Sequence, residues 1–205
     1  MARYGDRRDR GEARETAVDD RWETLLHAWR EVDMPDGWRA EIRKEGIVLV
    51  PPPAAKHNDI PDWIARQLYP VLPREIAFHQ GSGVVIADQA RLRSPDIVLF
   101  NRAAMPERRG EGIDPDEVLL VAEIASKDNA RDDREAKRVE YATAGIPLYL
   151  LIDGYDPRGP RITLFSNPRG TDYSDSHAVE WGEPIDLPEP FDVKLDTSEF
   201  TVPSD

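Results

Sequence analysis

Residues 118–153, VLLVAEIASKDNARDDREAKRVEYATAGIPLYLLID, decide the fold. VLLVAEIA is the most apolar run in the chain, and a continuous run of that length suits a central strand buried on both faces. SKDNARDDREAKRVEYATAGI opens with Ser126 or Asp128 as a candidate N-cap, continues in good helix formers, and stops at Gly145 ahead of Pro147. IPLYLLID follows at once as a second apolar strand. Strand, helix, strand in this order predicts a βαβ crossover, with Glu123 and Leu150 on neighbouring parallel strands.

Upstream, IAFHQ, GVVIAD and PDIVLF read as short strands separated by Gly-, Asp- and Arg-rich connections. Before them, Ile60, Trp63, Ile64 and Leu68 recur at helical spacing up to Tyr69-Pro70, and WRAEIRKEGIVLVPPP has the alternation of a hairpin turning at Lys44-Glu45-Gly46. An earlier helix carries Trp22, Leu25, Leu26 and Trp29, with Asp19 or Asp20 as its cap and Gly37 as its stop. Downstream, RITLFSNPRGTDYSDSHAVEW and FDVKLDTSEF are expected as antiparallel additions at the sheet edge. The expected fold is α/β: a mixed sheet flanked by helices, with an added N-terminal helix and hairpin and C-terminal antiparallel strands. Residues 1–17, charged and nearly devoid of large apolar side chains, read as a disordered or loosely held arm, and 18–205 as a single domain.

The chain contains no cysteine, which excludes disulfides, thiolate metal sites and a cysteine nucleophile. Its start has no apolar stretch of signal-peptide length and no run is long enough to span a bilayer, so a cytoplasmic location without membrane attachment is expected. The formal net charge of −13 argues against tight non-specific DNA binding, which draws on a basic surface. It does not exclude phosphodiester chemistry, because divalent cations screen carboxylates from phosphate.

Two carboxylates stand at the boundaries of apolar strands: Asp96 opens PDIVLF after Pro95, and Glu123 lies near the end of VLLVAEIA. A carboxylate in such a strand is costly to bury ionised unless a partner, a metal or a cleft lies beside it. Brought together, the two suit Mg²⁺ or Mn²⁺. Taken singly, Asp96 also reads as a turn residue after proline, and Glu123 as a salt-bridged core residue. Asp133, Lys137 and Tyr141 repeat every four residues and share one helix face, which either looks into the same cleft or carries a solvated Asp-to-Lys pair. Ser126 reads as a helix cap, and His57 as a capping or catalytic residue ahead of a helix.

SPDIVLF, VAEIAS, the D-x-x-x-K-x-x-x-Y spacing in DREAKRVEY, and AGIPLYLLID together resemble the Uma-two family. That family comprises restriction-endonuclease-like bacterial proteins of the PD-(D/E)XK nuclease superfamily. The resemblance extends from the hairpin EIRKEGIVLVPPP, with His57 after it, to IPLYLLID. It implies a Mg²⁺- or Mn²⁺-dependent endonuclease acting on DNA, in which Asp96 and Glu123 ligate the metal and Glu41 completes the metal site as a further ligand. The superfamily places a lysine two residues beyond the second acid, where this chain has Ala125. The resemblance implies Lys137 as the relocated catalytic lysine. A homodimer addressing two strands is a further expectation, and a nuclease fold kept as a non-catalytic binding or assembly module is the alternative.

Overall fold

The structure, a computed structural model, describes residues 20–52, 58–107 and 111–201. The arm 1–17 and His57 lie outside the described residues. Helix α1 (20–30) buries Trp22 and half-buries Leu25, Leu26 and Trp29, the side chains whose spacing predicts it. It ends at Arg30, and Gly37 takes its positive φ of 80° in the turn leading to the next strand. Strands β1 (Arg39–Arg43) and β2 (Gly46–Val50) form the expected hairpin, with Arg43 opposite Gly46. Helix α2 (Asp59–Leu68) buries Ile60, Ile64 and Leu68 on one face.

Four short strands follow: β3 (Ile76–His79), β4 (Val84–Ile86), β5 (Arg91–Arg93) and β6 (Ile97–Asn101). β5 falls in what reads as an Arg-rich connection, because a three-residue strand with one apolar side chain shows no alternation. β7 (Val118–Ile124) leads into helix α3, which spans Ala130–Asp132, a wide π-type turn at Asp133–Lys137 and Arg138–Thr143. Gly145, at a φ of 75°, closes the helix, where Ile146 N–H donates to the Tyr141 carbonyl at 3.1 Å. Then come β8 (Leu148–Asp153), β9 (Arg161–Arg169), β10 (Asp172–Glu180), β11 (Ile185–Leu187) and β12 (Val193–Leu195).

The main sheet has the order β10-β9-β8-β7-β6-β3. β7 and β8 pair in parallel, as the crossover predicts, and the other neighbours are antiparallel. Leu150 pairs with Ala122, and Glu123 with Leu151. β9 and β10 extend the edge as expected. The segment holding β12 does not: it pairs with β11 in a separate ribbon, whose Ile185, Leu187 and Leu195 pack into the core beside α2. Burial of these side chains against the sheet face replaces edge pairing. The N-terminal hairpin joins β5 and β4 in a second sheet of order β2-β1-β5-β4.

Alternation sorts the main sheet into two faces. Ile97, Leu99, Leu120, Ala122 and Leu150 meet α2, whereas Val98, Phe100, Val121, Tyr149 and Leu151 meet α3. Asp96 and Glu123 are in step with Val98 and Val121, so both are assigned to the α3 face. Among the described residues no helix is long and apolar enough to cross a membrane.

Candidate active site

Ile97 pairs with Ala122 across the antiparallel β6–β7 ladder, so Asp96 emerges beside the end of β7. Its Oδ2 accepts the Ile124 N–H at 2.8 Å, and its Oδ1 lies 3.8 Å from Arg39 Nη2. Glu123 is 2 % exposed and has a partner at each oxygen: Oε2 is 2.8 Å from Lys137 Nζ, and Oε1 accepts the Tyr141 hydroxyl at 2.6 Å. Lys137 Nζ is also 2.8 Å from Asp133 Oδ1. Asp133 and Lys137 are both buried, at 0 % and 4 % exposure, so the solvated surface pair that their spacing also allows is not what forms. Ala125 is buried without a charge of its own, and the ammonium reaches Glu123 from the helix instead.

The helix start differs from expectation. Asn129, not Ser126 or Asp128, immediately precedes the first turn, and its Oδ1 accepts both the N–H and the hydroxyl of Ser126 at 2.7 Å. Ser126 is thus tied into the loop leaving β7.

Glu41 enters from β1 and is 2 % exposed. Its Oε2 accepts from Arg43 Nε at 2.7 Å and Arg93 Nη1 at 3.2 Å, and its Oε1 accepts the Ser94 N–H at 3.0 Å. Arg93 was not distinguished by the sequence, yet it is the hub of this region. Its Nε donates to Glu140 Oε2 at 2.6 Å and its Nη1 to Asp132 Oδ2 at 3.1 Å, joining β5 to both ends of α3. The available signal was an arginine flanking Leu92, which any surface strand displays.

The electrostatics follow from burial and neighbours. Burial pushes the Glu123 carboxyl up, Lys137 pulls it down, and Asp133 and Asp96 push it up again, to about 8. Burial likewise raises Asp133, against the pull of Lys137. Burial alone would lower Lys137, but Glu123, Asp133, Glu41 and Asp96 hold it well above the lysine range. Glu41 goes the other way: burial raises it, but Lys137, Arg93, Arg43 and the Ser94 N–H outweigh burial and bring it to about 2. Glu41 is therefore ionised, whereas Glu123 and Asp133 compete for one ammonium.

The spacing of the sequence places Tyr141 on the helix face of Lys137 and says nothing of its partner. Its buried hydroxyl fixes the Glu123 carboxylate, and removing it leaves Oε1 without that donor. At pH 9, where Glu123 is ionised, Tyr141→Phe is expected to cost about 1.5–3 kcal/mol, the range for a hydrogen bond to a charged group, as read by urea denaturation. An unchanged denaturation midpoint would contradict this role.

For a hard divalent cation the donor set fits in charge and chemistry. It is all oxygen, and Asp133 Oδ2 is buried with no hydrogen-bond partner among the described residues. Asp96 and Glu123 are the residues that would hold the ion. Among the described residues, no three His, Asp or Glu side chains are already gathered into a ready cage.

A family model described as a putative restriction endonuclease matches residues 22–198. The fold is similar to the crystal structure of a putative nuclease of the DUF820 group from Anabaena variabilis. The TM-score is 0.60 at 16% identity, over 85% of this chain and 96% of that one. No curated protein matches the chain.

Proposed function

The chain belongs to the Uma2 family of putative restriction endonucleases, and from that premise we propose that it is a divalent-metal-dependent endonuclease hydrolysing phosphodiester bonds, with DNA as substrate. The observation that carries the proposal is the buried Lys137 ammonium on Glu123, on the sheet face to which Asp96 is also assigned. Asp96 and Glu123 are assigned as ligands of Mg²⁺ or Mn²⁺. When bound, such an ion supplies the positive charge that lets carboxylates face a phosphate. Lys137, in place of a lysine at position 125, offers a fixed cationic donor to negative charge developing on the phosphate. Tyr141 and Asp133 hold Glu123 and Lys137 in place. Glu41 assists, and with its oxygens on Arg43, Arg93 and Ser94 it does so first by fixing the segment just ahead of Asp96.

The purified protein with Mg²⁺ or Mn²⁺ is expected to nick DNA, and Asp96→Ala to abolish nicking while the protein remains folded by circular dichroism. Nicking that survives Asp96→Ala sinks the assignment. Light scattering tests whether a homodimer, suited to two strands, is the active species.

One observation favours a second reading, a nuclease fold retained as a binding or assembly module: both Glu123 oxygens already have protein partners. Calorimetry showing no heat of binding with millimolar Mg²⁺ or Mn²⁺ would favour that module over the enzyme.

A further inference from the structure

We propose that Arg39 is the substrate-phosphate anchor of this site, gripping a nucleic-acid phosphate next to the bond that is cut. The inference rests on the nuclease reading and adds a binding residue to it. Alternation along β1 puts Arg39, Glu41 and Arg43 on one face of the strand. Glu41 and Arg43 are spent on each other and on the Arg93 hub, with Arg43 Nε on Glu41 at 2.7 Å and Nη1 3.8 Å from Asp132. Arg39 is not spent in this way.

A guanidinium carries five N–H donors in a planar fork. Among the described residues that of Arg39 makes one hydrogen bond, a long one of 3.4 Å to the Ser94 carbonyl, and approaches Asp96 Oδ1 at 3.8 Å. The first is a long hydrogen bond to a neutral carbonyl, and the second an ion pair beyond hydrogen-bonding distance. Its side chain is 24% exposed, so it is held in position yet open to solvent. Gly81, where φ is 67°, lies beside it: a Cβ there would be 3.1 Å from Arg39 Nη1. A cation beside one proposed metal ligand, with most of its donors unspent, suits bidentate capture of phosphate oxygens.

The charge of the whole chain gives this residue unusual weight. At a net −13 the molecule repels nucleic acid at long range, so affinity has to come from a few local cations. Each phosphate neutralised by a side chain contributes about −0.9 to the slope of log affinity against log salt on duplex DNA.

The test is an anisotropy titration of fluorescein-labelled duplex and single-stranded oligonucleotides, in Ca²⁺, across a salt series. Arg39→Gln is expected to bind about 10-fold more weakly at low salt, with a slope shallower by about one unit. Arg39→Lys is expected to keep the slope and recover part of the affinity, because it restores the charge without the fork. Thermal unfolding of both variants should match the parent closely, since only one long hydrogen bond and one loose, partly exposed ion pair are altered. Binding by the parent, with affinity and slope unchanged in Arg39→Gln, overturns the anchor and leaves the nuclease reading standing. Failure of the parent to bind any of the oligonucleotides overturns the nuclease reading and the anchor with it.

Discussion

Glu123→Gln is expected to lower metal-dependent cleavage by at least roughly 100-fold, beyond the 10–100-fold typical of residues behind the ligands, and yet to make the protein more stable at alkaline pH. The amide keeps the shape of the side chain and can still accept from Tyr141, but it cannot offer an anionic oxygen to a cation. Stability moves the other way because of how the parent carboxyl is placed. Burial, with Asp133 and Asp96 beside it, raises Glu123 from the ordinary glutamate value to about 8, so at neutral pH the folded chain keeps a proton that the unfolded chain has released. The stability linked to this group is fully present below the ordinary glutamate pKa and is lost as pH rises through about 8. Glutamine does not titrate. Urea denaturation should therefore find the two proteins similar near pH 4.5, the ordinary glutamate value, and the variant ahead at pH 9. A variant that is the less stable of the two at pH 9 would refute this account of Glu123.

Lys137→Met is expected to produce the largest loss of stability of any single change at the site, about 3–5 kcal/mol, because it removes one partner of a buried ion pair and strands the others. The stranded groups are Glu123 and Asp133, each 2.8 Å from the ammonium in the parent. Methionine fills most of the volume of the lysine stem, so the cost is electrostatic and should depend on pH. Without Lys137 both carboxyls, already raised by burial, rise further. The variant should regain stability as pH falls and they take up protons, and lose it as pH climbs. Denaturation midpoints from pH 5 to pH 9 read this directly. A deficit that stays constant across that range would point to packing loss instead. Cleavage should be lost at every pH.

The crossover from Val118 to Asp153 was legible because each part announced itself: an unbroken apolar run, a helix closed by glycine, and a second apolar run. Asp96 and Glu123 were legible for a related reason, since a carboxylate bordering an apolar strand needs an explanation. Arg93 and strand β5 were not. Arg91-Leu92-Arg93 looks like a charged connection, and only the meeting of Glu41 from β1 with Asp132 and Glu140 from α3 shows that the second arginine is buried. Those partners are far apart in sequence, so no local pattern encodes their encounter. The segment of β12 reads as an addition at the sheet edge but pairs with β11, because alternation predicts a strand without saying which strand it pairs with. Lys137 lay between these cases. Its spacing from Asp133 suits a solvated pair as well as a buried one, and burial under the β7 face decides between them.

The wide turn at Asp133–Lys137 has a geometric consequence. In an ordinary α-helix a step of four residues overshoots a full turn of 3.6 by about 40°, so side chains four apart drift steadily around the barrel. In a π-type turn, where hydrogen bonds run from i to i+5, the same step covers a smaller angle. From Asp133 to Lys137 the chain takes the wide step, and from Lys137 to Tyr141 the ordinary one, so the overshoot of the second offsets the shortfall of the first. The acid, the ammonium and the hydroxyl then stand nearly in a single file above Glu123. A helix made regular throughout, by deleting one residue within that turn, would swing the lysine and the tyrosine together away from the bearing of Asp133, and the ammonium could no longer sit between that acid and Glu123.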